Sequence, residues 1–291
     1  MGFYTGKVAA ITGAGSGIGR ALAVDLAGRG CDLALSDVDG ASLQVTLASA
    51  KALGVRVSAT VVDVADRAAV YAWADQVVAE LGKVNLIFNN AGVGVGCTVE
   101  GADYADFEWL MGIDFWGVVY GTKAFLPHLR ASGDGHVVNI SSIFGLIAVP
   151  GNCSYNAAKF AVRGFSECLA QELALSRAPV AVSCVHPGGI QTNIVRASRM
   201  RPDLLALLGS DEQSSKSAFE DRFITTAPQA ATQILAGVER KKRRILVGGD
   251  AWLLDKLVRL FPQFYQTVIV WATRRHMAGQ VAQLGKASSS P

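Results

Sequence analysis

Metal ligands are scarce in this chain. It has four histidines and five cysteines in 291 residues. The histidines are scattered, with no HExxH or similar grouping, so a metal site has no support. Cys31, Cys97, Cys153, Cys168 and Cys184 are odd in number, widely spaced and never in a C-x-x-C pair; they read as reduced cytosolic thiols rather than a disulfide framework. Charged residues make up only 18% and hydrophobic residues 51%, which excludes disorder over most of the length. No run of about 18 uncharged apolar residues occurs, so no spanning helix is expected. The opening MGFYTGKVAAITGAG lacks a basic region followed by an apolar run. Gly6 stands where a myristoylation pattern needs Ser or Thr, so no secretory or lipid signal is expected and the location is read as cytoplasmic.

Acidic residues are sparse at one end. From Arg240 onward there are ten Lys or Arg and two Asp or Glu, whereas the overall net charge is +3. A solvated basic helix is one reading, and a patch that meets anionic lipid or an acidic partner is the other.

Short apolar runs alternate with helical periodicity through the first two-thirds. KVAAIT (7–12), CDLALSD (31–37), VRVSATVVD (55–63), VNLIFNN (84–90), HVVNISS (136–142) and VAVSCVHPG (180–188) each read as a strand covered on both faces, and RRILVGG (243–249) as a seventh. In DRAAVYAWADQVVAELG, Val70, Trp73, Val77 and Leu81 recur at helical spacing, with Asp66 as N-cap and Gly82 as stop. This alternation predicts one doubly wound α/β domain, a parallel sheet with helices on both faces, over residues 1–250. Residues 251–291 are expected to be a basic, apolar helical extension packed on it, and the final KASSSP to fray. Residues 190–225 interrupt the alternation just past the sixth strand, where open parallel sheets bind ligands, so this excursion is a candidate substrate lid.

TGAGSGIG, Thr12 to Gly19, follows the first strand and opens a helix. Glycines there let the backbone approach a pyrophosphate whose charge sits at a helix N-terminus. Asp37 closes the second strand. A carboxylate there can accept both ribose hydroxyls of an adenosine and repels a 2′-phosphate, which favours NAD over NADP. Arg20 is the residue most able to upset that preference. In CSYNAAKFAVRGF, Tyr155 and Lys159 share one helix face. An ammonium about 4 Å from a phenol, at an effective dielectric near 20, contributes roughly 4 kcal/mol, or about 3 pKa units, which predicts a phenol near neutrality. A packed tyrosine beside a snorkelling lysine is the plainer alternative.

TGAGSGIG, then NNAG (89–92), a serine and YNAAK, in that order, resemble the short-chain dehydrogenase/reductase family from about Lys7 to Ile194. The resemblance implies a single Rossmann-type domain with a seven-stranded parallel sheet and a nicotinamide cofactor. It implies that Gly13, Gly15, Ser16, Gly17, Ile18 and Gly19 hold the cofactor at the glycine loop. Asp63 would hold the adenine amino group and Val64 pack on the ring, while Asn90, Ala91 and Gly92 line the adenosine side. In PGGIQT, Pro187, Gly188 and Ile190 belong to a loop whose Thr192 meets the carboxamide. Ser142 and Tyr155 would hydrogen-bond the substrate oxygen, Tyr155 taking the proton. Lys159 would lower the tyrosine pKa and grip the nicotinamide ribose, with Ser141 facing away. Asp114, in GIDFWG, replaces the family's fourth catalytic residue, an asparagine that shapes its helix so that a backbone carbonyl holds a water near the lysine. An aspartate cannot donate as an amide does and its charge can tie up Lys159, so activity with an altered proton relay is expected.

Phe144, Leu146, Val149, Asn152, Cys153, Leu204, Leu205, Leu207 and Leu208 are the candidate pocket residues, and their apolar character suggests a small lipophilic alcohol or ketone. The resulting expectation is an NAD-dependent oxidoreductase acting on a hydrophobic secondary alcohol or ketone. The alternatives are a cofactor-binding sensor or scaffold weakened by Asp114, and a membrane-surface protein acting through residues 251–276. A homodimer or homotetramer is implied by the family, assembled through the helices flanking the fifth strand. RKKRR (240–244) reads as a solvated turn, and no nucleic-acid partner is expected.

Overall fold

The fold is described from a computed structural model. It covers residues 2–221 and 223–287, with 276–287 described as helix alone. Most of the KASSSP tail therefore lies outside the described residues. Seven parallel strands form one sheet: β1 Val8–Thr12, β2 Asp32–Asp37, β3 Val57–Val61, β4 Leu86–Asn89, β5 Gly135–Ile140, β6 Val180–Pro187 and β7 Arg244–Val247. Their spatial order is β7-β6-β5-β4-β1-β2-β3. The strand order reverses between β1 and β4, and ligands bind in the crevice that such a reversal opens.

The helices are α1 Gly17–Gly28, α2 Gly40–Lys51, α3 Arg67–Leu81, α4 Tyr104–Met111, α5 Gly117–Ala131, α6 Cys153–Leu175, α7 Pro202–Leu208, α8 Glu212–Glu220, α9 Ala227–Glu239, α10 Gly249–Leu260 and α11 Phe264–Ala287. One core layer joins Leu22 and Leu26 of α1, Leu43 of α2 and Ile234 of α9 to the sheet. The other joins Val70, Trp73 and Val77 of α3 to Phe125 of α5 and Leu169 of α6. Asp66 caps α3 by accepting the Ala69 N–H, and Gly82 ends it in a left-handed turn.

The third strand departs from expectation. It is the sheet edge, only partly covered, and Val61 is 62% exposed. An edge strand lacks a neighbour on one side, so its apolar run does not imply burial on both faces. The 190–225 excursion contains α7 and α8 and two small ladders. Ile190–Gln191 pairs with Thr225–Thr226, and Arg199–Met200 pairs with Val95–Gly96. Among the described residues, no helix is long and apolar enough to cross a membrane.

Candidate active site

The switch point of the sheet gathers the glycine loop, the segment after β4, the end of β5 and the start of α6. Gly13 has φ +64°, and a Cβ there would lie 2.8 Å from the Ala91 Cα; no side chain fits where the loop crosses the 89–92 segment. Asn90 spends its amide on this crossing, donating to the carbonyls of Thr12 (2.9 Å) and Gly13 (3.2 Å). The Ala91 N–H donates to Thr12 Oγ1 at 3.0 Å. Ser16 is the N-cap of α1 in extended backbone, but its side chain caps nothing. The leading N–H groups of Gly17, Ile18 and Gly19 thus have no side-chain acceptor, and no acid sits in the first turn. Thr192 sits over Gly17, its methyl 3.2 Å from where a Cβ would stand, so the loop after β6 closes over the glycine loop.

Asp37 lies beside this loop. Its carboxylate accepts the N–H of Gly15 at 2.7 Å and of Asp39 at 2.9 Å. Arg20 is committed elsewhere: its guanidinium donates to the carbonyls of Gly15 and Ser42 and, at 3.0 Å, to Thr46 Oγ1. Asp63 is exposed and accepts the Ala65 N–H at 2.9 Å, while Val64 is buried. Pro187 ends β6, and Ile190 is buried in the core. Gly188 and Gly189 are held by Asp250 at the start of α10, whose Oδ2 accepts the Gly189 N–H at 2.7 Å.

Ser142, Tyr155 and Lys159 converge beyond β5. Tyr155 and Lys159 lie one turn apart on α6, with the ammonium 5.4 Å from the phenol ring centroid. Ser142 opens a short 3-10 turn, Ile143–Gly145, and its hydroxyl accepts the Phe144 N–H at 3.1 Å. The same hydroxyl favours the ionised form of the Tyr155 phenol. Ser141 faces the other way and donates to the Lys159 carbonyl at 2.9 Å. Behind Ser142, the buried His186 donates from Nδ1 to the Ser142 carbonyl at 3.0 Å, a contact the sequence does not announce.

Asp114 lies in a π-helical turn, Gly112–Trp116, between α4 and α5. It is fully buried; Oδ1 accepts the Val93 N–H at 2.8 Å, and Oδ2 is 3.0 Å from Lys159 Nζ. Gly92 gives this pair room, since a Cβ there would stand 3.3 Å from Asp114 Oδ2. The ammonium also donates to the Ile140 carbonyl at 3.3 Å.

The expectation of a phenol near neutrality is overturned. Burial pushes Tyr155 above the usual phenol range; Lys159 pulls it back and Asp114 pushes it up again. The attraction of one ammonium is outweighed once burial and the Asp114 carboxylate are added. Burial likewise opposes the charge on Lys159, but Asp114 and then Tyr155 outweigh it and the ammonium is held above its ordinary value. Burial raises the Asp114 carboxyl against the attraction of Lys159.

The apolar wall beside Tyr155 is aromatic rather than leucine-rich. Phe144 meets Tyr155 edge-on at 6.1 Å between centroids, Phe219 of α8 meets Phe144 at 6.4 Å, and Phe223 meets Phe219 at 5.5 Å. Phe219 and Phe223 escaped the sequence reading because nothing in the local pattern ties them to β5. Leu204 is instead wedged against Gly96 and Gly151, Leu205 and Leu208 are half-buried, and Leu207 is 49% exposed. Leu146 and Val149 pack under Ala251 and Tyr265 of the C-terminal helices. Asn152 bridges to Cys97, and Cys153 also faces Cys97, so those two cysteines are not isolated as their spacing suggested.

A family model described as short chain dehydrogenase matches residues 7–203. The Mycobacterium tuberculosis protein SadH, itself provisionally named an oxidoreductase, is 50% identical over 270 residues, covering 92% of this chain and 96% of that protein. Human estradiol 17-beta-dehydrogenase 11 is 29% identical over 268 residues, covering 91% of this chain and 82% of that protein. A short chain dehydrogenase/reductase from Burkholderia phymatum, solved in complex with NAD, superposes with TM-score 0.83 at 31% identity, covering 91% of this chain and 97% of that one.

Proposed function

The chain belongs to the short chain dehydrogenase family, and on that premise we propose that it moves a hydride between a nicotinamide dinucleotide and a hydrophobic secondary alcohol or its ketone. The carrying observation is the convergence of Ser142, Tyr155 and Lys159 beyond β5, opposite the glycine loop.

The cradle fits a dinucleotide: the loop leaves no room for a side chain at Gly13, and the N-terminal amides of α1 lack a side-chain cap. Gly13, Gly15, Ser16, Gly17, Ile18 and Gly19 would hold the diphosphate, Asp37 the adenosine ribose, and Asp63 with Val64 the adenine. Asn90, Ala91 and Gly92 would line the adenosine side. Tyr155 and Lys159 would meet the nicotinamide ribose, and Pro187, Gly188, Ile190 and Thr192 the carboxamide. NAD is favoured over NADP because Asp37 repels a 2′-phosphate and the Arg20 guanidinium is turned onto backbone carbonyls. Bound there, the nicotinamide supplies the hydride acceptor or donor.

The protein's own residues handle the oxygen and its proton. Ser142 holds the substrate oxygen beside the phenol. Tyr155 stays protonated at neutral pH, so it is poised as the acid that protonates a carbonyl oxygen during reduction. In the oxidative direction it first gives up its proton, and Lys159 and Ser142 are the groups that favour that ionisation. Asp114 works against them. Phe144, Phe219 and Phe223 give the substrate side an apolar wall, and an estradiol dehydrogenase among the relatives agrees with a secondary alcohol of that character.

The test is NADH formation from NAD⁺ across secondary alcohols of graded apolar size, and NADH consumption with the matching ketones. Tyr155→Phe is expected to lose 10²–10⁴-fold in turnover, in the range of general acid–base catalysis, while still binding NADH. NADH binding without turnover on any substrate would favour a cofactor-binding sensor or scaffold, with Asp114 as the cause.

Residues 1–250 are read as the catalytic domain, its last residue Asp250 holding the loop after β6, and 251–291 as an extension packed on it. Exposed Trp116 and Phe160, beside α5 and on α6, support assembly into a homodimer or homotetramer across those helices. A second reading, peripheral contact with an anionic membrane, draws on exposed Trp252, Leu260, Phe261, Phe264 and Trp271. Lys256 stacks on Trp252 at 3.8 Å and Arg275 on Trp271 at 5.4 Å. Deleting 251–291 would abolish flotation with phosphatidylglycerol vesicles under that reading, and no flotation of the full chain would remove it.

A further inference from the structure

Cys97 and Cys153 are 56 positions apart in sequence, yet their sulfurs lie 3.5 Å apart beside the proposed active site. Cys97 follows the short strand Val95–Gly96, and its N–H donates to the Gly151 carbonyl at 2.9 Å. Cys153 opens α6, two residues before Tyr155. Both are free thiols; Cys97 is 2% exposed and Cys153 half-buried. The hydride chemistry assigns neither sulfur a role.

We propose that Cys97 and Cys153 are a modification site, a dithiol that a peroxide converts reversibly into a disulfide. Cys153, the less buried of the two residues, attacks first: its thiolate takes one peroxide oxygen, breaking the O–O bond, and becomes a sulfenic acid as water leaves. The Cys97 sulfur then attacks the sulfenic sulfur, and a second water departs with the Cys97 proton. Two thiols lose two electrons, and one peroxide is reduced to two waters. Burial first, and then its neighbour Cys153, pushes the Cys97 thiol up to about 12, so it is not the sulfur that starts the reaction; its place in the second step rests on its position against Cys153.

The bond would act on the proposed active site by geometry. Closing the sulfurs from 3.5 Å to about 2.05 Å pulls on the first turn of α6, directly before Tyr155. It also pins the segment whose next residue, Thr98, holds Asp203 of α7 through its N–H (2.8 Å) and hydroxyl (2.6 Å). One covalent bond would thus join the acid-bearing helix to the root of the excursion.

The test treats the full chain with one equivalent of hydrogen peroxide, then alkylates, digests and maps it. The expected result is a loss of about 2 Da, simultaneous protection of Cys97 and Cys153, and a linked peptide containing both, all reversed by dithiothreitol. The exposed Cys168 remains alkylatable and serves as internal control. In Cys97→Ser the loss is replaced by a gain of about 16 or 32 Da at Cys153, since nothing resolves the sulfenic acid. A gain at Cys153 in the unmodified sequence, with Cys97 still alkylatable after unfolding, overturns the proposal. These readouts need no substrate, so they stand whether or not the oxidoreductase assignment does. With an active substrate in hand, peroxide is expected to lower turnover about tenfold or more in the original chain and to spare Cys97→Ser, because a shift of about 1 Å at a reacting group can cost 10²-fold. Equal loss in both chains overturns the link to the active site.

Discussion

Asp114 Oδ2 lies 3.0 Å from Lys159 Nζ in a site closed to solvent, and this contact opposes the pull of Lys159 on Tyr155. A lone buried ammonium would draw the phenol toward ionisation. Paired with a carboxylate, it is held in place while part of its pull on the phenol is opposed. The pair also ties three elements together, since Asp114 accepts from Val93 after β4 and reaches Lys159 on α6 from its own π-helical turn.

Asp114→Asn is therefore expected to be active and to work at lower pH. The amide oxygen can still accept the Val93 N–H, but the negative charge that raises Tyr155 is gone. Alcohol oxidation rises with pH as the phenolate appears, so the rising limb of kcat against pH should move to lower pH. An unmoved profile in the variant would mean that Tyr155 is not the titrating base.

Asp37 should govern the choice of dinucleotide. Its carboxylate is anchored by the Gly15 N–H at 2.7 Å, and a charge-assisted contact of this kind is worth about 1.5–3 kcal/mol. Asp37→Ala should weaken NADH binding about tenfold or more, while NADPH, freed of repulsion, should bind no worse than before. Fluorescence titration with both cofactors checks this, and an unchanged ratio of the two affinities would refute it.

The alternation of apolar runs made the sheet, its parallel strands and the excursion after β6 readable, because strand and helix periods are local properties. The glycine loop and the Tyr155–Lys159 pairing were readable for the same reason: each motif is contiguous. The state of Tyr155 was not, because its largest influence is burial and its second neighbour, Asp114, comes from a distant turn. Nor were Phe219, His186 and Asp250, which reach the site only once α8, β6 and α10 have packed. The Cys97–Cys153 contact was hidden likewise, as it depends on a two-residue strand laid against the start of α6.

Asp250, in the first turn of α10, offers a test of what holds the proposed cofactor loop. Its carboxylate packs over Gly188 and accepts the Gly189 N–H, so Asp250→Ala leaves that donor without its partner. A loss of about 1–3 kcal/mol in stability is expected, with a weaker NADH affinity and little change in the pH profile. Thermal melts with and without NADH separate the two effects. If Asp250→Ala melted and bound cofactor as the original chain does, the loop would be held by other contacts.

Two buried histidines should make the fold acid-sensitive. His136 Nε2 lies 2.8 Å from Ser183 Oγ, and because that hydroxyl already donates to the Lys242 carbonyl, the imidazole is the donor and its Nδ1 has no partner. His186 donates from Nδ1 to the Ser142 carbonyl and leaves Nε2 without one. Burial is the main reason both are lowered from 6.5 to about 4. The unfolded chain takes up these protons first. The stabilisation from keeping the rings neutral is thus fully present above pH 6.5 and lost as pH falls toward 4, at roughly 3 kcal/mol for each ring. Urea unfolding midpoints at pH 7.5 and 4.5 measure the loss. His136→Gln, whose amide can still donate to Ser183, should lower stability at pH 7.5 yet show a smaller drop between the two pH values. A drop as large as that of the original chain would show that His136 does not carry the acid sensitivity.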